Sequence, residues 1–214
     1  MMRKKKIVLI CVAHRDDETI GCGGTIVKHY QNGDKIYCLS FTDGVSARNN
    51  IKDKNVIKRK KNSINASKIL KFKWIDHNEN FDDNQLDKYP LIKLIKLIEK
   101  VKSKINPDIV YTHFIQDLNI DHQIVSRATL TAFRPLKNEK CKKIIFFEVP
   151  SSTDYSNYVF KPNYFVDITQ NWAKKKSALK CYKKEILKQK SSRDLDSLFN
   201  LAKIRGSLFC FLRI

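Results

Sequence analysis

The sequence predicts an α/β fold: an open, mostly parallel sheet flanked by helices, with a metal site at the carboxyl ends of the strands. Three observations predict it. Short apolar runs alternate with longer segments of helical period, the pattern of a parallel sheet joined by crossover helices. The first run, Ile7 to Ala13, is apolar throughout and reads as a buried strand. That strand ends abruptly in His14-Arg15-Asp16-Asp17-Glu18. Burying one imidazole and three carboxylates without partners costs several kcal/mol each, on the order of the known penalties for buried charges, so something must compensate them.

Each element follows in chain order. Strand one covers Lys6–Ala13. Gly21, Gly23 and Gly24 lack the Lys-Ser/Thr of a phosphate loop and the spacing of a dinucleotide fingerprint, so they read as a tight strand-to-helix turn before a helix over Gly24–Gln31. A second strand spans Lys35–Phe41 and runs into Thr42-Asp43-Gly44. The helix over Val56–Leu70 opens on Lys58-Arg59-Lys60-Lys61, a solvated face. After a strand at Phe72–Ile75, the helix over Leu91–Ser103 has apolar residues at 91, 94, 95, 98, 101 and 105, one buried stripe. Its lysines would also suit a membrane surface, but a parallel crossover requires such a helix on the sheet. Strand Ile109–Thr112, helix His122–Phe133, strand Lys143–Glu148, a shorter strand at Tyr164–Val166, and helices Trp172–Lys188 and Arg193–Arg205 complete the set. There are no repeats and no Pro/Gly-rich linker, so residues 1–214 read as a single domain.

In such Rossmann-like sheets ligands bind beyond the carboxyl ends of the strands. His14, Asp16 and Asp17 follow the first strand, Thr42-Asp43-Gly44 the second, and His113 the fourth. Three distant segments therefore converge on one edge. His14 offers a borderline nitrogen and Asp17 a hard oxygen, the ligand types of catalytic zinc, and their i, i+3 spacing lets one turn grip one ion. A third ligand must come from elsewhere, and His122 in Asn119-Ile120-Asp121-His122 is the best candidate. The chemistry implied is that of a metal hydrolase.

Composition narrows the classes. No stretch approaches the ~18 apolar residues that span a bilayer. Met1 to Ala13 mimics a signal peptide but has no small-residue cleavage site, so a first strand is the better reading. Six cysteines without a C-x-x-C pair point to reduced thiols in a cytoplasmic protein. The net charge of +20 is the strongest competing signal. The lysines, however, are spread along the chain and accompany abundant Asn and Ile, and no nucleic-acid motif appears, so no nucleic-acid partner is expected. The charge would suit steering of a phosphorylated substrate.

The motifs together resemble the LmbE/PIG-L family of zinc-dependent N-acetyl-sugar deacetylases. The family's Ala-His-Pro-Asp-Asp-Glu signature and glycine-rich turn stand here as Ala13-His14-Arg15-Asp16-Asp17-Glu18 and Gly21-Cys22-Gly23-Gly24. The resemblance continues through Thr42-Asp43-Gly44, Phe81-Asp82-Asp83-Asn84-Gln85-Leu86-Asp87, His113 to His122, Phe147 to Ser152 and Lys161 to Asp167. It implies His14, Asp17 and His122 as ligands of Zn2+, with Fe2+ as the other candidate, and Asp16 as general base. Zinc would lower the pKa of its water to about 7. The substrate implied is an N-acetylated amino sugar, free or nucleotide- or lipid-linked, as in a subgroup tied to bacterial surface glycans.

Departures from the family pattern are specific. Where many members have a His that assists the oxyanion, this chain has Asn119, so that donor is either Asn119 or His113. Asp121 reads as a carboxylate orienting a ligand or base. Arg15 replaces the usual proline. Arg48 or Arg59 is expected to bind the substrate phosphate or sugar, and Asp83 and Asn84 to contact the sugar. From about residue 207 the tail, ending Leu208-Phe209-Cys210-Phe211-Leu212-Arg213-Ile214, is atypical of the subgroup. Two rivals accompany the deacetylase: an impaired relative that keeps the metal and binds a glycan or partner, and a basic nucleic-acid-binding protein.

Overall fold

The computed structural model describes residues 4–47, 53–79, 81–137, 139–186 and 191–208. Five strands, β1 (Ile7–Val12), β2 (Lys35–Ser40), β3 (Lys73–Ile75), β4 (Ile109–His113) and β5 (Lys143–Phe147), form one parallel sheet in the order β3-β2-β1-β4-β5. The helices are α1 (Asp17–Gln31), α2 (Asp53–Leu70), α3 (Leu91–Ile105), α4 (Ile120–Ala132), α5 (Trp172–Leu179), α6 (Lys183–Ile186) and α7 (Leu195–Ser207).

Alternation along β1 explains the layers. Val8, Ile10 and Val12 join one core with Ile20, Ile26, Leu70 and Leu179, under α1, α2 and α5. Leu9, Cys11 and Ala13 join the other with Leu94, Ile98, Val125 and Ala128, under α3 and α4. A strand covered on both faces must be apolar at every position, as β1 is. The lysine-rich α3 buries Leu94, Ile95, Leu97, Ile98 and Val101 on the sheet and stops at Asn106, whose left-handed backbone (φ 46°) lets its N–H cap the Lys102 carbonyl. Among the described residues, no helix is long and apolar enough to cross a membrane, and Cys11, Cys22, Cys38, Cys141 and Cys181 are free. Cys210 lies outside the described residues.

Three expectations need correction. The first helix begins at Asp17, not Gly24, so the glycines lie inside α1. A Cβ on Gly21 would stand 2.3 Å from Phe147 Cδ2, so the absent side chain is what lets α1 approach β5. The expected helix over Trp172–Lys188 is broken by a 3-10 turn at Lys180–Tyr182, with Leu179, Tyr182 and Ile186 all buried, and its expected last residues, 187 and 188, lie outside the described residues. Tyr164–Val166 is not a strand. It stands off β5 across a cavity and is tied elsewhere, by Lys28 Nζ donating to the Asp167 carbonyl (2.9 Å) and by Ile168 packing on Gly24.

Candidate active site

The order of the strands reverses at β1: β2 lies to one side and β4 to the other. The crevice of such a switch point opens where β1 and β4 end. His14 and the start of α1 emerge from β1, His113 ends β4, and α4 begins at Ile120 with Asp121 and His122 in its first turn.

Three ligand-type atoms meet there. His14 Nδ1 lies 3.2 Å from Asp17 Oδ2, His122 Nε2 lies 3.4 Å from the same oxygen, and the two imidazole nitrogens are 3.2 Å apart. These spacings match the edge of about 3.3 Å that tetrahedral coordination requires when bonds are about 2.0–2.1 Å. The donor set is also one that demands a cation. Burial raises the Asp17 pKa, but the imidazoles of His122, His14 and His113 outweigh it and hold the carboxyl well below its ordinary value. Burial lowers the His14 pKa, yet Asp17, Asp121 and Asp83 hold it well above. His122, pulled down by burial, is raised by Asp17 and Asp117. Protons collect where an ion would sit, and the residues fit a divalent metal.

His14, Asp83 and Asp121 form a second group able to hold a metal. Here His14 Nε2 is 3.2 Å from both Asp83 Oδ1 and Asp121 Oδ2. Asp121 already accepts from the backbone N–H of Asn84 (2.7 Å) and Leu86 (2.9 Å), and Asp83 Oδ2 from that of Ala47 (3.3 Å). These carboxylates therefore suit the anchoring of one imidazole nitrogen while the other faces the ion. They also tie the segments around 42–47 and 83–86 to the site.

The remaining expected residues take distinct places. His113 is fully buried, stacks on His122 (ring centroids 3.8 Å apart), and its Nε2 accepts from the Ala13 N–H at 2.9 Å. Burial and the neighbouring His122 push its pKa well down, so it is a neutral imidazole. Asn119 caps α4: its Oδ1 accepts from the N–H groups of Asp121 (2.9 Å) and His122 (3.3 Å), and its Nδ2 donates to the exposed Asn84 at 3.4 Å. Asp16 is buried with one oxygen on Arg59 Nη1 at 2.7 Å, although its place before α1 would suit a cap. Arg59 also donates to the carbonyls of Arg15 (3.3 Å) and Gly44 (3.1 Å). Arg15 lies over Trp74, 4.7 Å from the ring centre. Arg48 lies outside the described residues.

Two carboxylates carry more than the sequence suggested. Asp117 Oδ1 is 3.1 Å from His122 Nδ1, and the carboxylate takes hydrogen bonds from the Ser152 and Thr153 hydroxyls and the Asn119 N–H. Burial opposes its charge, but His122 and these donors bring its pKa down to about 2. In the sequence its only signal is its place four residues after His113 in the stretch His113 to His122. Glu18 is sealed beneath Tyr182, whose hydroxyl donates to it at 3.1 Å, and burial lifts its pKa to about 8.

Residues 9–133 match the family described as PIG-L, GlcNAc-PI de-N-acetylase. The uncharacterized deacetylase YaiS of Escherichia coli K12 is 31% identical over 186 residues, covering 84% of this chain and 92% of that protein. The fold resembles the conserved protein TT1542 of Thermus thermophilus, with a TM-score of 0.73, 19% identity and coverage of 97% of this chain and 90% of that one. It likewise resembles N,N'-diacetylchitobiose deacetylase of Pyrococcus horikoshii, with a TM-score of 0.69, 22% identity and coverage of 96% and 78%. A matched stretch of more than half the chain, together with the Escherichia coli relative, shows that this protein belongs to the PIG-L/LmbE deacetylase family.

Proposed function

We propose that this protein is a zinc-dependent deacetylase that hydrolyses the acetamide of an N-acetylated amino sugar resembling N-acetylglucosamine, free or nucleotide- or lipid-linked. The observation that carries it is the cluster of His14 Nδ1, Asp17 Oδ2 and His122 Nε2 in a chain of this family. Those residues would hold Zn2+, and Fe2+ suits the same donors. When bound, the ion supplies Lewis acidity toward water and the acetamide carbonyl.

The chain's own residues do the rest. Asp16 takes the proton of the attacking water and returns it to the departing amine. Arg59 holds Asp16 Oδ2, so Oδ1 is the oxygen assigned to that proton. Asn119 keeps its Oδ1 on the α4 backbone and presents its amide NH2 beside Asn84, where it serves as a neutral donor to the developing oxyanion. His113 is a poorer candidate for that role because it is sealed and its Nε2 accepts from Ala13. It holds the end of β1 against β4 instead. Asp83 and Asp121 orient His14, and the exposed Asn84 faces the sugar. Free, scattered cysteines support a cytoplasmic setting.

The test is acetate release from a panel of N-acetyl sugars and their nucleotide-linked forms, using metal-loaded wild type beside Asp16→Ala and His122→Ala. Metal-dependent release that disappears in both variants is expected. One bound ion per chain without release from any sugar would favour a relative that binds a glycan without hydrolysing it. Failure to bind metal would overturn the proposal.

A further inference from the structure

Among the described residues a cavity of about 940 Å³ opens between β5 and the segment 160–168, and His113, which packs on Phe147 (ring centroids 4.9 Å apart), is not part of its lining. Its size falls within the range of about 300–1,000 Å³ typical of small-molecule sites. Phe147, Trp172, Leu198 and Phe199 line it. Into this apolar space comes one buried cation, Lys175, which is only 7% exposed. The sequence makes room for it: a Cβ on Gly23 would stand 3.0 Å from Lys175 Cγ.

Among the described residues the Lys175 ammonium has no hydrogen-bond acceptor; its neighbour is the Trp172 ring, 5.8 Å away at the centroid. The nearby Glu148 carboxylate does not serve, because Arg205 grips both its oxygens at 2.9 and 2.7 Å. The side chain is buried, but its ammonium faces the cavity with no anion among the described residues bonded to it. Burial accordingly lowers the Lys175 pKa to about 8, so it remains charged at neutral pH. Two further ammonium groups sit on rings lining the same space: Lys143 lies 5.7 Å from the centre of Tyr164, and Lys203 lies 5.4 Å from that of Phe199. The walls are apolar and the unbalanced charge is positive.

We infer that this cavity binds an anionic amphiphile, whose carboxylate or phosphate head pairs with Lys175 and whose alkyl chain lies along Phe147 and Trp172. The site is separate from the metal cluster and does not depend on the deacetylase reaction. It uses the same combination found in other ligand sites, a mainly apolar lining with one polar group that fixes orientation.

Calorimetric titration of the full chain with dodecanoate, dodecyl phosphate and dodecanol, each below its aggregation concentration, tests it. Saturable binding of one equivalent of at least one anionic probe is expected. Binding of dodecanoate alone assigns a carboxylate head and of dodecyl phosphate alone a phosphate head. Lys175→Met, which keeps the aliphatic stem on Gly23, should weaken the anionic probes about tenfold or more and leave dodecanol unchanged. Ala202→Trp, on the α7 wall, should block all three while thermal unfolding stays cooperative. Absence of saturable anion binding, or equal affinity of wild type and Lys175→Met for the anions, would overturn the inference.

Discussion

Arg59 and Asp16 are 43 residues apart in the chain and 2.7 Å apart in the fold, Nη1 to Oδ2, with side chains only 5% and 4% exposed. Neither charge is tolerable there alone. The pair fixes α2 against the start of α1 and sets the orientation of the carboxylate proposed as general base.

Arg59→Met should therefore act on both stability and rate. Leaving one member of a buried pair uncompensated costs about 3–5 kcal/mol. Urea unfolding should show that loss, and Asp16→Leu/Arg59→Met should recover most of it. In folded Arg59→Met, kcat should fall more than KM rises, with metal content intact. An unchanged kcat would remove Arg59 from the proposed mechanism.

The two metal-capable groups that share His14 predict different variants. Asp17→Asn or His122→Ala should abolish stoichiometric metal, measured by elemental analysis after gel filtration. Asp121→Asn should retain the metal with affinity lowered about 10–100-fold, as expected for a carboxylate that orients a ligand. The opposite ranking would place the ion on the Asp83/Asp121 side.

Asn119 separates capping from catalysis. Asn119→Ala should cost about 1 kcal/mol through the lost α4 cap. Asn119→Asp keeps an accepting oxygen for the Asp121 and His122 N–H groups, so its melting temperature should stay near wild type. Its kcat should nevertheless fall about 100-fold, because a carboxylate cannot donate to an oxyanion. Equal activity of the two forms would exclude that role.

Gly44 supports His14 through its backbone. Its φ of +70° is a conformation that side chains rarely adopt, and a Cβ there would stand 3.0 Å from His14 Cβ, so His14 would have to yield slightly. Gly44→Ala should destabilise by about 1–2 kcal/mol from the left-handed backbone alone. Metal affinity should fall as well if His14 is displaced, and titration of the apoprotein with zinc measures this.

Lys175 makes a pH prediction whose sign is definite. Its pKa falls from the ordinary 10.5 to about 8 in the fold. Below about 8 it is charged in both states, and the folded state bears the whole burial penalty. Between 8 and 10.5 the folded state loses the proton first, so wild type should gain stability relative to Lys175→Met as pH rises. The full gain is about 3 kcal/mol. Denaturation of both proteins from pH 7 to 10.5, without added amphiphile, measures the difference, and a flat difference would contradict the buried cation.

Much of the fold was legible because it is written in local patterns. The continuous apolarity of Ile7–Val12 marked a strand covered on both faces, and the stripe of α3 marked a helix on the sheet. A parallel sheet brings the carboxyl ends of its strands to one edge, which is why His14, Asp17 and His113 are expected there. The grouping of His122 with His14 and Asp17 comes from the need for a third ligand and from the family resemblance. The start of α1 was misplaced because glycine is a poor helix former by propensity. Here close packing on Phe147 and Ile168 overrides that preference.

The sequence by itself determined the alternation of elements, the strand edge at which His14, Asp17 and His113 gather, and the ligand types offered there, since each depends on neighbours within a turn or a strand. Only the tertiary structure decided the partners. Arg59 lies buried on Asp16 rather than on a solvated face, Asp83 and Asp121 flank the far nitrogen of His14, and Asp117 faces His122 Nδ1. It also placed Lys175 in an apolar cavity, where a run of three lysines suggests only a solvated face. The physical reason is common to these cases: desolvation makes a buried charge costly, and which distant group offsets it is settled by packing, not by local sequence.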